Sequence, residues 1–167
     1  MNLLESIFNK IILDHQQLKS RIEKFKQENK SIVFTNGCFD ILHTGHVTYL
    51  AKAKELGDVF IVAVNSDASV RRLKGNHRPI NKLEDRMFLL ASLCFIDIVT
   101  FFEEDTPIEI LKIIHPNIHV KGGDYKIDNL PEKTIIESYG GKIVLIPFVE
   151  GYSTTKIITK FKASPQS

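Results

Sequence analysis

The sequence predicts an α/β fold, a Rossmann-like doubly wound parallel sheet of five strands with helices on both faces. Three observations carry this. Short apolar runs of strand type alternate with helical patterns five times along the chain. One run, Val59-Phe60-Ile61-Val62-Ala63-Val64, is uninterrupted and mostly β-branched, as expected of a strand buried on both faces. The chain has 167 residues, 43% hydrophobic and 25% charged, enough for one core and too few for two comfortable domains.

The elements follow in order. Residues 3–13 read as a helix. Leu18, Ile22 and Phe25, spaced by four and three, give another over about 14–29, continuous with the first or broken from it near His15. Residues 1–30 are therefore an N-terminal helical extension, 31–162 the main domain and 163–167 a disordered tail. Ser31 to Thr35 is a strand broken by Gly37. Residues 45–56 are helical, with Val47, Leu50, Ala51 and Ala53 inward. Gly57-Asp58 ends that helix before the strand at 59–64.

Asn81 with Glu84 three residues on suggests a capped helix running to Cys94, which would place Cys94 in the core. Residues 96–101 form a strand. Thr106 caps and Pro107 opens a helix to His115. Residues 118–120 are a strand, 133–139 a helix stopped by Gly140-Gly141, 143–146 the last strand and 155–161 a closing helix. Ligands of such sheets bind beyond the carboxyl ends of the strands, where strand order reverses. Functional residues are expected after Thr35, Val64, Val120 and Ile146.

Charge and composition exclude several classes. With 22 Lys+Arg against 20 Asp+Glu the net charge is +2, so no nucleic-acid partner is expected. No apolar run approaches the roughly 20 residues of a membrane helix, and no export signal is visible at the start. The expected location is the cytoplasm. Two cysteines, Cys38 and Cys94, make no disulfide framework.

After the first strand comes Asn36-Gly37-Cys38-Phe39-Asp40-Ile41-Leu42-His43-Thr44-Gly45-His46. The dinucleotide fingerprint GxGxxG and the phosphate loop GxxxxGK(S/T) are both missing. His43 and His46, three apart, fall on one side of a helical turn. Gly45 between them lets phosphate approach the backbone, and the amides opening the helix favour an anion. The plainer readings are two polar residues near a turn, or a zinc site, for which HExxH and a third ligand are lacking. Cys38 reads as packing, and Asp40 as orienting more than catalytic.

Gly37 to His46 fits GxFDxxHxGH, and the chain thereby resembles the HIGH-type nucleotidyltransferase superfamily. Further segments resemble the bacterial D-glycero-β-D-manno-heptose 1-phosphate adenylyltransferases: Thr35 to His46, Val64 to Gly75, Phe102 to Pro107, Val120 to Tyr125 and Phe148 to Thr155. The resemblance covers about residues 31–161. It implies transfer of AMP from ATP to the heptose 1-phosphate, giving ADP-heptose and pyrophosphate for lipopolysaccharide core synthesis, with Mg²⁺ carried on the triphosphate. Phe148 stands where related glycerol-phosphate cytidylyltransferases carry an Arg, which favours ATP over CTP. The alternative is a cytidylyltransferase acting on glycerol 3-phosphate or a related polyol phosphate. A homodimer is the expected assembly. The kinase that makes the acceptor from heptose 7-phosphate is expected on a separate protein, since about 30 leading residues cannot hold it.

The resemblance and the residue chemistry together nominate the site. His43, His46 and Lys74 are the catalytic candidates. The nucleotide candidates are Asn36, Gly37, Cys38, Phe39, His43, His46, Lys121, Gly123, Asp124, Tyr152, Ser153, Thr154 and Thr155. Ser153 to Thr155 would form a second phosphate cradle at a helix start, or else a plain cap. Asp40, Asn65, Asp67, Arg71, Lys74, Arg78 and Arg86 are assigned to the sugar phosphate. The basic cluster from Arg71 to Arg78 would offset repulsion between two phosphorylated substrates, its plainer reading being a solvated loop. Arg86 would otherwise be a surface ion-pair residue.

Overall fold

The computed structural model describes residues 2–123, 126–147, 151 and 153–163. Its centre is a five-stranded, all-parallel sheet of order β3-β2-β1-β4-β5. The strands are β1 (Ile32–Gly37), β2 (Val59–Asn65), β3 (Ile98–Phe102), β4 (Ile118–Gly122) and β5 (Lys142–Ile146). The doubly wound class expected from the sequence is present.

Strand periodicity of two divides the core. Val33 of β1 and Phe60, Val62 and Val64 of β2 face a layer built from α3 (Thr44–Lys54) and α5 (Leu83–Ala91). Ile32 and Phe34, with Val59, Ile61 and Ala63, face α2 (His15–Gln27), α6 (Ile108–Ile114) and α7 (Lys133–Ser138). β2 is buried at all seven positions, the reason for its unbroken apolar run.

Residues 2–30 are docked onto this core. α1 (Leu3–Phe8) ends before a bend, and Asp14 restarts the chain as α2 by accepting a hydrogen bond from Gln16 N at 2.9 Å. Between the two helices Ile11 bridges Val99, and Ile12 N and Val99 N donate to Val99 O and Lys10 O (2.9 and 2.8 Å). This covers the open edge of β3. Leu18 and Ile22 of α2 are fully buried against the sheet, worth roughly 1.5–3 kcal/mol each in transfer terms.

Several element expectations need correction. The basic stretch after β2 is a helix, α4 (Asp67–Lys74), capped by Ser66 and anchored by buried Ser69 and Val70. Asn81 does not cap α5. The N-cap is Lys82 with no side-chain bond, because the Asn81 side chain donates to Asp40 O at 2.8 Å. α5 ends at Ala91, so Cys94 lies in the following turn and is exposed instead of in the core. Pro107, not Thr106, is the N-cap of α6. A 3₁₀ turn (Ile127–Asn129) follows β4, and the closing helix is α8 (Thr154–Ala163).

Candidate active site

Strand order reverses between β1 and β4, and there the sheet opens. The β1–β4 ladder has only two partner pairs, Val33↔Ile118 and Phe34↔His119, although both strands run on, to Gly37 and Gly122. Beyond Phe34 side chains take over. Thr35 Oγ1 and Tyr49 OH lie 2.6 Å apart, and both reach Val120 O, at 2.9 and 3.0 Å. Lys121 Nζ reaches Asn36 Oδ1 at 3.1 Å. A cavity of about 510 Å³ fills the opening, within the usual range for small-molecule sites.

The loop from β1 to α3 forms one wall. Phe39 takes a left-handed backbone (φ 44°) and turns its buried ring back over Gly37, where a Cβ would lie 3.0 Å from that ring. Phe39 also meets His46 edge-on at 5.4 Å between ring centres. His43 is the N-cap of α3: its Nδ1 accepts from His46 N at 3.3 Å. An accepting Nδ1 carries no proton, so the hydrogen-bond network assigns the neutral ring's proton to Nε2. The two imidazoles stack at 3.8 Å with 20° between planes.

Burial lowers both histidine pKa values. For His46 the push from burial, with a smaller one from neighbouring His43, outweighs the opposing pull of the Ile41 backbone and brings it down to about 4. His43 is lowered by burial alone. Both rings are therefore uncharged at neutral pH, and His46 Nδ1 is buried without a hydrogen-bond partner among the described residues. Cys38 lines the cavity, but burial raises its thiol pKa, so it presents no thiolate.

The cations divide into two sets. Lys74, at the end of α4, lines the cavity, is exposed and has no ion-pair partner among the described residues. Lys121 lines it too, paired with Glu132 at 2.5 Å. Arg78 lines it while bonded through Nε to Asp40 Oδ2. Asp40 is buried and also accepts from Ile80 N and Asn81 N, at 2.7 and 2.9 Å. It fastens residues 78–81 to the histidine loop.

Arg86, Asp67 and Arg71, expected at the substrate, do not line the cavity. Arg86 is fully buried behind the wall. It donates to Cys38 O (2.5 Å), Asn81 O (3.0 Å) and Asp67 Oδ1 (2.8 Å), and so ties together three segments. Arg71 is exposed in the last turn of α4. Asn65 does line the cavity, its amide donating to Ser69 Oγ at 3.0 Å.

The remaining wall is Ser153, Thr154 and Thr155 at the start of α8, with Thr154 Oγ1 donating to Ile41 O at 3.4 Å. Asn36, Gly37 and Gly122 also line the cavity, whereas Gly123 does not. Asp124, Phe148 and Tyr152 lie outside the described residues. Sequence reasoning missed Tyr49, Leu73 and Glu132. Tyr49 had a signal, since it sits one helical turn after His46. Among the described residues no group of three His, Cys, Asp or Glu could hold a metal ion, and no helix is long and apolar enough to cross a membrane.

A paired-histidine helix start at the switch point of a parallel sheet defines an α/β domain of the HIGH-type nucleotidyltransferase fold. Residues 34–160 match the family described as cytidylyltransferase-like. The chain belongs to that family. Similar curated proteins include the "Bifunctional protein HldE" of a Nitratiruptor species, 54% identical over 152 residues, which are 91% of this chain and 32% of that protein. The protein of the same name from Geobacter sulfurreducens is 51% identical over 81% of this chain and 28% of its own length. The chain thus spans about a third of the length of these relatives. Among solved structures, a lipopolysaccharide core biosynthesis protein from Thermoplasma volcanium matches with TM-score 0.60 and 29% identity, over 74% of this chain and 99% of that one. Pantothenate synthetase from Thermus thermophilus, 14% identical with TM-score 0.64 over 92% of this chain and 70% of its own, shares the fold.

Proposed function

We propose that this chain is an adenylyltransferase that moves AMP from ATP to D-glycero-β-D-manno-heptose 1-phosphate, giving ADP-heptose and pyrophosphate for lipopolysaccharide core synthesis. The observation that carries the reaction class is the stacked His43–His46 pair at the mouth of α3, inside the cavity where β1 and β4 part. Identity of about half with the HldE proteins supports the substrate pair.

In this reading an acceptor phosphate oxygen attacks the α-phosphorus of ATP, the bond to the β-phosphate oxygen breaks, and pyrophosphate leaves. The protein positions the reactants and stabilises charge, with no covalent intermediate. His43 offers an Nε2–H, and the α3 amides add their dipole. Arriving phosphates favour the protonated form of both rings. Lys74 holds the acceptor phosphate, because Arg78 is already engaged by Asp40. Lys121 serves the nucleoside side, and the family resemblance assigns Gly123, Asp124 and Tyr152 to the nucleotide as well. Ser153, Thr154 and Thr155 receive the leaving pyrophosphate. Magnesium carried on the triphosphate would supply shielding of its charge. The enzyme works in the cytoplasm as a homodimer, after a heptose 7-phosphate kinase.

The test is pyrophosphate release with ATP and CTP, each against heptose 1-phosphate, glycerol 3-phosphate and ribitol phosphate. Release is expected with ATP and heptose 1-phosphate. Release only with CTP and a polyol phosphate overturns the assignment.

A further inference from the structure

A buried carboxylate lies behind the nucleotide wall, at a position that no motif singled out. Glu132 precedes α7, is 3% exposed, and places Oε1 at 2.5 Å from Lys121 Nζ. Its Oε2 is buried with no hydrogen-bond partner among the described residues. A carboxylate serving packing alone would be expected to satisfy both oxygens, since a buried unpaired acceptor is costly. Asn36, at the end of β1, supplies a second acceptor to the same ammonium at 3.1 Å.

An ammonium has three N–H donors. One goes to Asn36 on β1, and Glu132 ahead of α7 ion-pairs the same ammonium from the other side of the opening. No further acceptor for it is found among the described residues, and Lys121 lines the cavity. We propose that Glu132 is a positioning residue of the nucleotide site, holding Lys121 against Asn36 so that its remaining N–H serves the bound nucleotide. This rests on reading the cavity as a nucleotide site. Glu132 touches no substrate and acts through Lys121. Displacing a positioned cation by about an ångström is enough to cost up to roughly 10²-fold in rate.

The experiment is a double-mutant cycle on the whole chain with Glu132→Gln, Lys121→Met and both together. Affinity for fluorescent ATP, kcat/KM for ATP and thermal unfolding are measured for each. Glu132→Gln keeps the shape and an acceptor oxygen, and is expected to lower kcat/KM about 10–100-fold with unfolding little changed. In the Lys121→Met background it should add almost nothing. Glu132→Asp, which keeps the charge, should recover part of the loss. Equal losses in both backgrounds, or no loss in either, overturn the proposal while ATP binding by the native chain stands. Absence of ATP binding by the native chain overturns the nucleotide reading itself, and this role with it.

Discussion

The charged and polar groups around the cleft form two regions that differ in how they are satisfied. In one, which reaches the cavity at Asp40 and Arg78, the residues Asp40, Arg78, Asn81, Arg86 and Asp67 bond to one another and to nearby backbone, and Arg86 has no exposed surface. On the cleft side, among the described residues, Lys74 has no ion-pair partner and His46 Nδ1 no hydrogen-bond partner. A buried cation with all three guanidinium nitrogens bonded is framework. A polar atom left without a bond inside a cavity awaits a ligand. Residue type does not separate the two regions, since each contains basic side chains from the same motifs.

The largest effect should come from the framework. Arg86→Ala strands the Asp67 carboxylate and the Cys38 and Asn81 carbonyls, and is expected to cost about 3–5 kcal/mol of stability, read by urea unfolding. A loss under about 1 kcal/mol together with a raised substrate KM would move Arg86 to the ligand side and break the contrast.

The cleft side should show the opposite pattern. His46→Ala should lower kcat by about 10²–10³ with little change in unfolding. His43→Ala should lose a similar factor, plus about 1 kcal/mol of stability from the missing helix cap. The double variant should lose less than the product of the two. Near-normal turnover in His46→Ala would remove the histidines from the chemistry.

Acid stability compares a histidine in each setting. His46 in the cleft and His119, buried against Phe34 with neither ring nitrogen bonded among the described residues, both have lowered pKa values through burial. The unfolded chain binds these protons near pH 6.5 and the fold does not. Their stabilising contribution is therefore present above about pH 6.5 and is lost as pH falls below that value, for His46 toward about 4. His119→Leu should flatten the fall in melting temperature between about pH 7 and 4.5, without changing turnover at neutral pH. An unchanged acid slope would refute this.

The smallest effect should be at Arg72, whose partner Asp105 is, like it, 49% exposed. Arg72→Ala is expected to change stability by less than about 1 kcal/mol and kcat not at all, although Arg72 belongs to the same basic cluster as Lys74. A clear loss of turnover would extend the cleft to this face of α4.

The parts of this contrast that could be read in advance depended on local spacing. The β2 run, the glycine before the histidine pair and the three-residue step from His43 to His46 are visible within a dozen residues, and they placed the sheet and the cleft. The partnership of Arg86 with Cys38 and Asp67 joins residues 48 and 19 apart, and that of Asn81 with Asp40 spans 41. No periodicity encodes such partners. Asn81 therefore looked like a cap and Arg86 like a substrate residue. Helix α4 was hidden for another reason: only Ser69 and Val70 of it are buried, too few for an apolar stripe.

The parting of β1 from β4 has one more consequence. It leaves the sheet as two panels, three strands wide and two strands wide, sharing a seam two residue pairs long. The Thr35–Tyr49–Val120 cluster is the fastener where the seam ends. A molecule seated on Asn36 and Lys121 grips both panels and supplies cross-links that the peptide backbone omits. Occupancy should therefore slow amide exchange along β4 and β5 more than along β2 and β3, because the narrow panel has the weaker attachment to gain from a tie across the gap.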